Sequence, residues 1–152
     1  MAPLQLAIAA LFSAAVAALV PFSVRATPIP LPPGEYDLTA ETVLPHLEEA
    51  LRYATTRSRQ CLREPDATAM FPLLRHQAFA GCNLVSAGEP ADGLHFTLHC
   101  ANPQAATGAA TFRLEANRID AVLEIKMGGK NMTLSQRLHG PRIGACPESG
   151  PR

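Results

Sequence analysis

Residues 94–100 read LHFTLHC, residues 110–116 read ATFRLEA and residues 119–127 read IDAVLEIKM. In each stretch apolar and polar side chains alternate, which is the pattern of a β-strand with one buried face. Residues 132–138 continue the pattern, and the Gly-Gly pair at 128–129 is typical of a tight turn between two strands. Since short turns join antiparallel strands, this part of the chain predicts a β-meander.

The N-terminal half contributes further strands. Tyr36, Leu38 and Ala40 alternate with polar residues, and residues 55–62 are rich in β-branched and polar side chains. Together these patterns predict a mainly β fold, an antiparallel meander of about seven strands with one or two short helices. Because one face of the sheet is apolar, the sheet must curl into a barrel or half-barrel, or pack against a helix.

Two connections have a helical pattern. Leu44, Leu47 and Leu51 follow helical spacing, so this connection is ambiguous, and its pattern allows a short surface helix. Asp66 is predicted to cap the N-terminus of about one helical turn, which Pro72 limits on its C-terminal side.

The composition excludes several classes of protein. The chain has 152 residues, of which 47% are hydrophobic and 17% charged, and 13 Lys and Arg balance 13 Asp and Glu. That length fits one domain, and the hydrophobic content excludes disorder of the whole chain. With a formal net charge of zero, the chain lacks the excess of basic residues that nucleic-acid binders and polybasic membrane binders have. No nucleic-acid partner is therefore expected.

Residues 1–26 have the pattern of an export signal. No charged side chain precedes Arg25, and the stretch is rich in Ala, Leu, Val and Phe. The pattern predicts a signal peptide cleaved after Ala26, and hence a periplasmic or secreted protein without a stable membrane span. The alternative is an uncleaved anchor, because about 20 apolar residues can span a bilayer. After cleavage 12 basic side chains face 13 acidic ones, a net charge of −1.

The remaining chain divides into three predicted parts. Residues 27–33 contain four prolines and predict an extended tether in polyproline-like conformation. Residues 34–146 form a single β domain, large enough to fold alone. Residues 147–152 are predicted to be a flexible tail.

Cys61, Cys82, Cys100 and Cys146 are the strongest chemical signal, since an even number of cysteines in an exported chain favours disulfide bonds. The nearest two are 18 positions apart, so the chain has neither the close ligand pairs of a zinc site nor a redox Cys-x-x-Cys motif. No metal or other cofactor is expected.

Spacing alone leaves three disulfide pairings open. A hairpin centred on Ala91 places Cys82 opposite Cys100 on the apolar face, which favours Cys82–Cys100 together with Cys61–Cys146. The competing arrangement joins Cys61 to Cys82 across the helical connection, and Cys100 to Cys146 at the C-terminus.

The cysteines and the prolines and glycines of the turns form a further pattern along the chain. They are PGEY at 33–36, Cys61-Leu62 followed by Pro65 and Asp66, then Cys82, Cys100, residues 128–133, and GPRIGAC at 140–146. Over about residues 33–146 this pattern resembles the bacterial family called domain of unknown function 3617. The chain departs from the family at Tyr36, where the family usually has Trp, and in its diluted Met/Thr alternation near the C-terminus. The resemblance implies a small, exported, periplasmic-type protein with disulfide bonds, and it implies no activity.

Two functions fit the sequence. The first is binding of a small apolar ligand on or in the sheet core. The inward-facing residues that would form this ligand face are Phe96, Leu98, Phe112, Leu114, Leu123, Ile125 and Leu134. The alternative is a non-catalytic structural or protein-interaction module of the periplasm, with an envelope protein bound at an open sheet edge. A core filled by the protein's own side chains would favour the alternative.

No set of residues indicates an enzyme. His95 and His99 share a strand face, but a rise of about 3.3 Å per residue separates them by roughly 13 Å, too far to bind one metal ion together. Ser58, Ser86 and Ser135 lack the context of a catalytic nucleophile. No catalytic residue is therefore expected.

Overall fold

The structure is a computed structural model of the chain and describes residues 27–89, 91–129 and 132–147. The predicted signal peptide at 1–26 lies outside the described residues, as does the predicted tail beyond Pro147. No helix in the described ranges is long and apolar enough to cross a membrane.

Seven antiparallel strands form one sheet, as the alternating pattern predicts. The strands are β1 (Gly34–Val43), β2 (Tyr53–Leu62), β3 (Cys82–Gly88), β4 (Leu94–Cys100), β5 (Ala106–Glu115), β6 (Arg118–Met127) and β7 (Thr133–Gly144). Their order across the sheet is β2-β1-β7-β6-β5-β4-β3, so the first and last strands of the chain are neighbours. The sheet does not close, because β2 and β3 form its two edges. The fold is therefore a half-barrel.

The connection between the two edge strands contains most of the helical structure. It consists of α1 (Ala67–Met70) and 3-10 turns at Pro72–Arg75 and Gln77–Phe79. Asp66 caps α1 by accepting a hydrogen bond from the N–H of Ala69 at 2.9 Å, which confirms the predicted cap. Several of its apolar side chains are buried, so the connection covers the apolar face of the sheet.

A buried polar side chain ties this connection to the sheet. Gln136, in β7, accepts a hydrogen bond from the N–H of Leu73 at 3.1 Å and donates one to Thr42 Oγ1 at 2.7 Å. Since a buried amide without partners is costly, these bonds fix the connection in one position above the sheet.

The prediction that residues 27–33 form a tether is wrong, because this proline-rich segment packs against the domain. It is extended, but Ile29 and Leu31 are buried in the core, and the N–H of Ile29 donates to the carbonyl of Pro65 at 3.0 Å. The signal for this packing is the apolar residue at every second position between the prolines. The segment is part of the domain.

Tyr36 holds the end of this segment. Its hydroxyl donates to the carbonyl of Pro32 at 2.7 Å, and its ring is fully buried in β1. Burial raises the pKa of Tyr36, while the charge of Arg142 acts in the opposite direction. The neutral phenol that this hydrogen bond needs is therefore the favoured form.

The connection between β1 and β2 does not form the surface α-helix that the leucine spacing allows. It contains a single 3-10 turn at Glu49–Leu51, and Leu47 and Leu51 are 42% and 63% exposed. Pro45 restricts the preceding residue to extended backbone, and so short a helix is not stable without a packing surface. The leucine spacing here does not mark a buried helix face.

Both disulfides of the favoured pairing are present. Cys82–Cys100 joins two residues that lie directly opposite in β3 and β4, which confirms the hairpin centred on Ala91. Cys61–Cys146 joins the end of β2 to the chain just beyond β7, with Cα atoms 5.2 Å apart. Two disulfides are consistent with a secreted or periplasmic protein.

Candidate functional site

The residues predicted to form a ligand face belong to the packed core of the half-barrel. Phe96, Leu98, Phe112, Leu123 and Ile125 are buried. The other two members of the set, Leu114 and Leu134, are half-buried and pack against the same cluster.

Aromatic side chains from the covering connection fill the space above this face. Phe71 is fully buried, and its ring centroid lies 5.4 Å from that of Phe112, in an edge-on arrangement. Phe112 also meets Phe96 edge-on at 5.2 Å, and Phe79 is buried in the same cluster. The protein's own side chains thus fill this face, which favours the interaction-module hypothesis.

The outer face of the sheet is polar. His95 and His99 lie on it, and Nε2 of His95 is 3.2 Å from a carboxylate oxygen of Asp92. Within the described ranges, no group of three or more His, Cys, Asp or Glu side chains is arranged to hold a metal ion.

The β3 edge of the sheet is occupied at Leu84 by side chains of the same chain. The N–H of Leu84 donates to Thr68 Oγ1 at 2.9 Å, and the hydroxyl of Thr27 donates to the carbonyl of Leu84 at 2.7 Å. A β-bulge between Ser86 and Gly88 further disrupts this edge. A partner strand therefore cannot pair along β3 without displacing these groups.

The β2 edge is different. β2 pairs with β1 over ten residues in continuous register, and no other strand of the described part of the chain pairs with its opposite side. Residues 53–59 are all exposed, whether they point to the inner or the outer face. β2 also contains no proline.

The register identifies the backbone groups that face the open side. The N–H of Leu44 donates to the carbonyl of Arg52 at 2.8 Å, which makes these two residues a hydrogen-bonded pair in the β1–β2 hairpin. In an antiparallel ladder such pairs alternate with non-hydrogen-bonded pairs, so the odd-numbered residues of β2 direct their N–H and C=O groups away from β1. These residues are Tyr53, Thr55, Arg57, Arg59 and Cys61.

The side chains along this edge are of the types that dominate binding surfaces. Tyr53 is 65% exposed, and the exposed Leu51 precedes it. Arg57 and Arg59 follow on the same face of the strand as Tyr53. Tyr and Arg are enriched among the residues that contribute most binding energy at protein interfaces. We call residues 53–61 the β2 edge site.

Comparison of the chain with protein-family models, with curated proteins and with solved structures finds no match. The resemblance to the domain of unknown function 3617 family stays a prediction from the residues.

Sequence reasoning anticipated an open sheet edge but did not identify the strand. The available signal is the composition of residues 53–60, which carry polar side chains at most positions of both faces. A strand in the middle of this sheet carries apolar residues on its inner face, so a strand without that alternation belongs at an edge.

Proposed function

We propose that the protein is a non-catalytic interaction module of the bacterial cell envelope, and that it binds an extended segment of a partner protein along the β2 edge site. The observation that carries the proposal is the difference between the two edges. Side chains satisfy the outward backbone groups of Leu84 in β3, whereas five residues of β2 direct theirs to the open side. Strand addition uses such a row of main-chain donors and acceptors.

The length of the β2 edge site supports this role. Natural sheets protect their edges with short strands, charged side chains, prolines, bulges or a covering element, because an exposed edge pairs with other chains. Of these devices, β2 has its two arginines, Arg57 and Arg59. β3 has a bulge and side-chain caps, whereas β2 is ten residues long, regular and exposed.

The envelope location rests on two further features. The N-terminal pattern at 1–26 predicts export, and the two disulfides fit an oxidising compartment.

Thr55→Pro is expected to weaken strand addition without unfolding the protein. Proline removes the N–H of Thr55, which points to the open side, and leaves the hydrogen bonds to β1 in place. The matched control Thr55→Val keeps the N–H. A photo-crosslinking residue at Tyr53, in cells that export the protein, measures the effect. We expect Thr55→Pro to lower the yield of a discrete adduct about tenfold, and Thr55→Val to leave it unchanged.

A crosslinker at Val122 is the positional control, because this residue is exposed on the outer face of central strand β6. The proposal is wrong if Val122 captures the same protein as Tyr53, or if the adduct at Tyr53 is insensitive to Thr55→Pro. Circular dichroism melting of both Thr55 variants verifies that they are folded.

Binding of a small apolar ligand is the second candidate, and a cleft at one end of the sheet favours it. The cleft has a volume of about 560 Å³, and Ile125 and Leu134 of the predicted ligand face line it together with Pro45. Small-molecule sites typically measure about 300–1,000 Å³. If this second function is correct, a fluorescent fatty-acid probe binds there and Leu134→Arg prevents it. Native mass spectrometry that detects no bound ligand, together with no uptake of the probe, would exclude this function.

A further inference from the structure

We infer that the segment bound at the β2 edge site is acidic, with two Asp or Glu side chains two residues apart and a large apolar residue four positions after the second. This inference rests on the proposed function and specifies the chemistry of the partner. It follows from the charges of β2, the pairing rule of the sheet and the position of Tyr53.

The charged side chains of β2 itself are all positive, and Asp37 of β1 lies opposite one of them, Arg59. Residues 53–62 contain Arg57 and Arg59 and no Asp or Glu. Both arginines lie in the exposed part of the strand. In the described part of the chain, an ion pair joins Arg118 to Asp120 and His95 contacts Asp92, and neither involves an arginine of β2.

The sheet follows a consistent charge rule from strand to strand. Wherever two charged side chains lie directly opposite in the described registers, their signs are opposite. The pairs are Asp37–Arg59, Glu41–Arg137, Arg113–Asp120 and Glu115–Arg118. Directly opposite pairs of this kind stabilise a sheet, and like charges destabilise it. A charged residue that an added strand places opposite Arg57 or Arg59 obeys the same rule only if it is acidic.

The positions of the side chains specify the spacing. Tyr53, Arg57 and Arg59 share the outer face, because they pair with Val43, Thr39 and Asp37. At a rise of about 3.3 Å per residue, the arginines are about 7 Å apart, and Arg57 is about 13 Å from Tyr53. An antiparallel partner that places acids opposite Arg59 and then Arg57 reaches Tyr53 four residues later. An apolar side chain there contacts the exposed ring of Tyr53 and Leu51.

A second copy of the chain fits this edge poorly. In a two-fold antiparallel pairing centred on β2, Arg57 of one copy lies opposite or diagonal to Arg57 or Arg59 of the other. Like charges in these positions destabilise the pair. Charge complementarity therefore favours an acidic segment of another protein.

Peptide binding tests the inference directly. The probe is a blocked, fluorophore-labelled peptide, Glu-Thr-Glu-Thr-Thr-Thr-Phe, titrated with the mature protein and followed by anisotropy at low salt. One control peptide, Thr-Glu-Thr-Glu-Thr-Thr-Phe, has the same composition but places its acids on the face opposite to Phe. The other replaces both Glu by Lys. We expect the probe to bind roughly tenfold more tightly than either control.

Charge reversal in the protein provides the second arm. We expect Arg57→Glu to abolish the preference for the Glu peptide over the Lys peptide, since Arg57 lies opposite Thr39 and its replacement leaves the Asp37–Arg59 pair in place. Lys126→Glu serves as the control for an overall change in charge, since Lys126 is exposed on β6, opposite two threonines. Thr55→Pro is expected to weaken binding of every peptide.

The outcomes separate this inference from the proposed function. Equal binding of all three peptides, weakened by Thr55→Pro, would overturn the acidic specificity and support the edge site. Peptide binding that Thr55→Pro leaves unchanged would overturn both. No binding of the probe at about 1 mM would overturn the acidic specificity alone. The edge site itself is tested independently by crosslinking at Tyr53. A dimer that Thr55→Pro dissociates would identify the occupant as a second copy and overturn the inference.

Discussion

Replacing Cys61 and Cys146 together by alanine is expected to lower the free energy of unfolding by about 4.5 kcal/mol. The bond joins residues 85 positions apart, so it closes a loop that contains most of the domain. In the chain-entropy model, a longer loop removes more conformations from the unfolded chain, and the folded state gains more stability. A loss of this size is a large fraction of the total stability of a domain of about 120 residues.

The position of the bond adds a local effect. Cys61 lies near the end of β2, Cys146 follows β7, and the start of β1 lies between these strands. In the described sheet β2 pairs only with β1. The disulfide therefore adds a direct connection between the end of β2 and the chain that follows β7. We therefore expect loss of the bond to accelerate amide exchange in β2 more than in β5.

The other disulfide is the matched control. Cys82–Cys100 closes a loop of 18 residues within a single hairpin. The same model gives about 3 kcal/mol for its loss, which is smaller by a little over 1 kcal/mol. Urea unfolding of the two double-alanine variants measures both values. A smaller loss for the Cys61–Cys146 variant than for the Cys82–Cys100 variant would contradict this account of the domain's stability.

The strands were predictable because their signal is local. Alternation with period two is present within each strand, and a sheet with one buried face requires it. The Cys82–Cys100 bond was predictable for the same reason, since the register of one hairpin places the two residues opposite each other.

The features that depend on distant parts of the chain were harder to predict. Cys61–Cys146 requires β1 to lie between β2 and β7, a neighbour relation that no local pattern encodes. The packing of Ile29 and Leu31 depends on the connection that covers the sheet. The prolines in that segment indicated the extended conformation correctly, but they did not indicate what the segment contacts.

The β2 edge site was predictable only in part, because it depends both on local sequence and on distant parts of the chain. The polar side chains on both faces of β2 indicate an edge strand, whereas the strand that lies beside it follows from the strand order. The closure of the opposite edge depends on Thr27 and Thr68, which are far apart in sequence and meet at Leu84. Without that closure, the two edges would be equivalent candidates.

Phe112→Ala is expected to cost about 3–5 kcal/mol of stability, the second largest effect. The ring is fully buried in β5, in edge-on contact with Phe71 and Phe96. The substitution removes the buried apolar surface of the ring and leaves a cavity at the centre of the core, because neighbouring side chains relax only in part. It also separates Phe71 of the covering connection from the sheet.

Val122→Ala is the control for this substitution, since Val122 lies on the exposed outer face of β6 and its truncation is expected to cost under about 0.5 kcal/mol. Urea unfolding of the purified, ligand-free protein measures both variants. The experiment also distinguishes the two functions. A ring that lines an empty ligand pocket contributes little to the stability of the ligand-free protein, whereas a ring in a filled core contributes several kcal/mol. A loss below about 1 kcal/mol for Phe112→Ala would therefore contradict the filled core and shift the balance towards ligand binding.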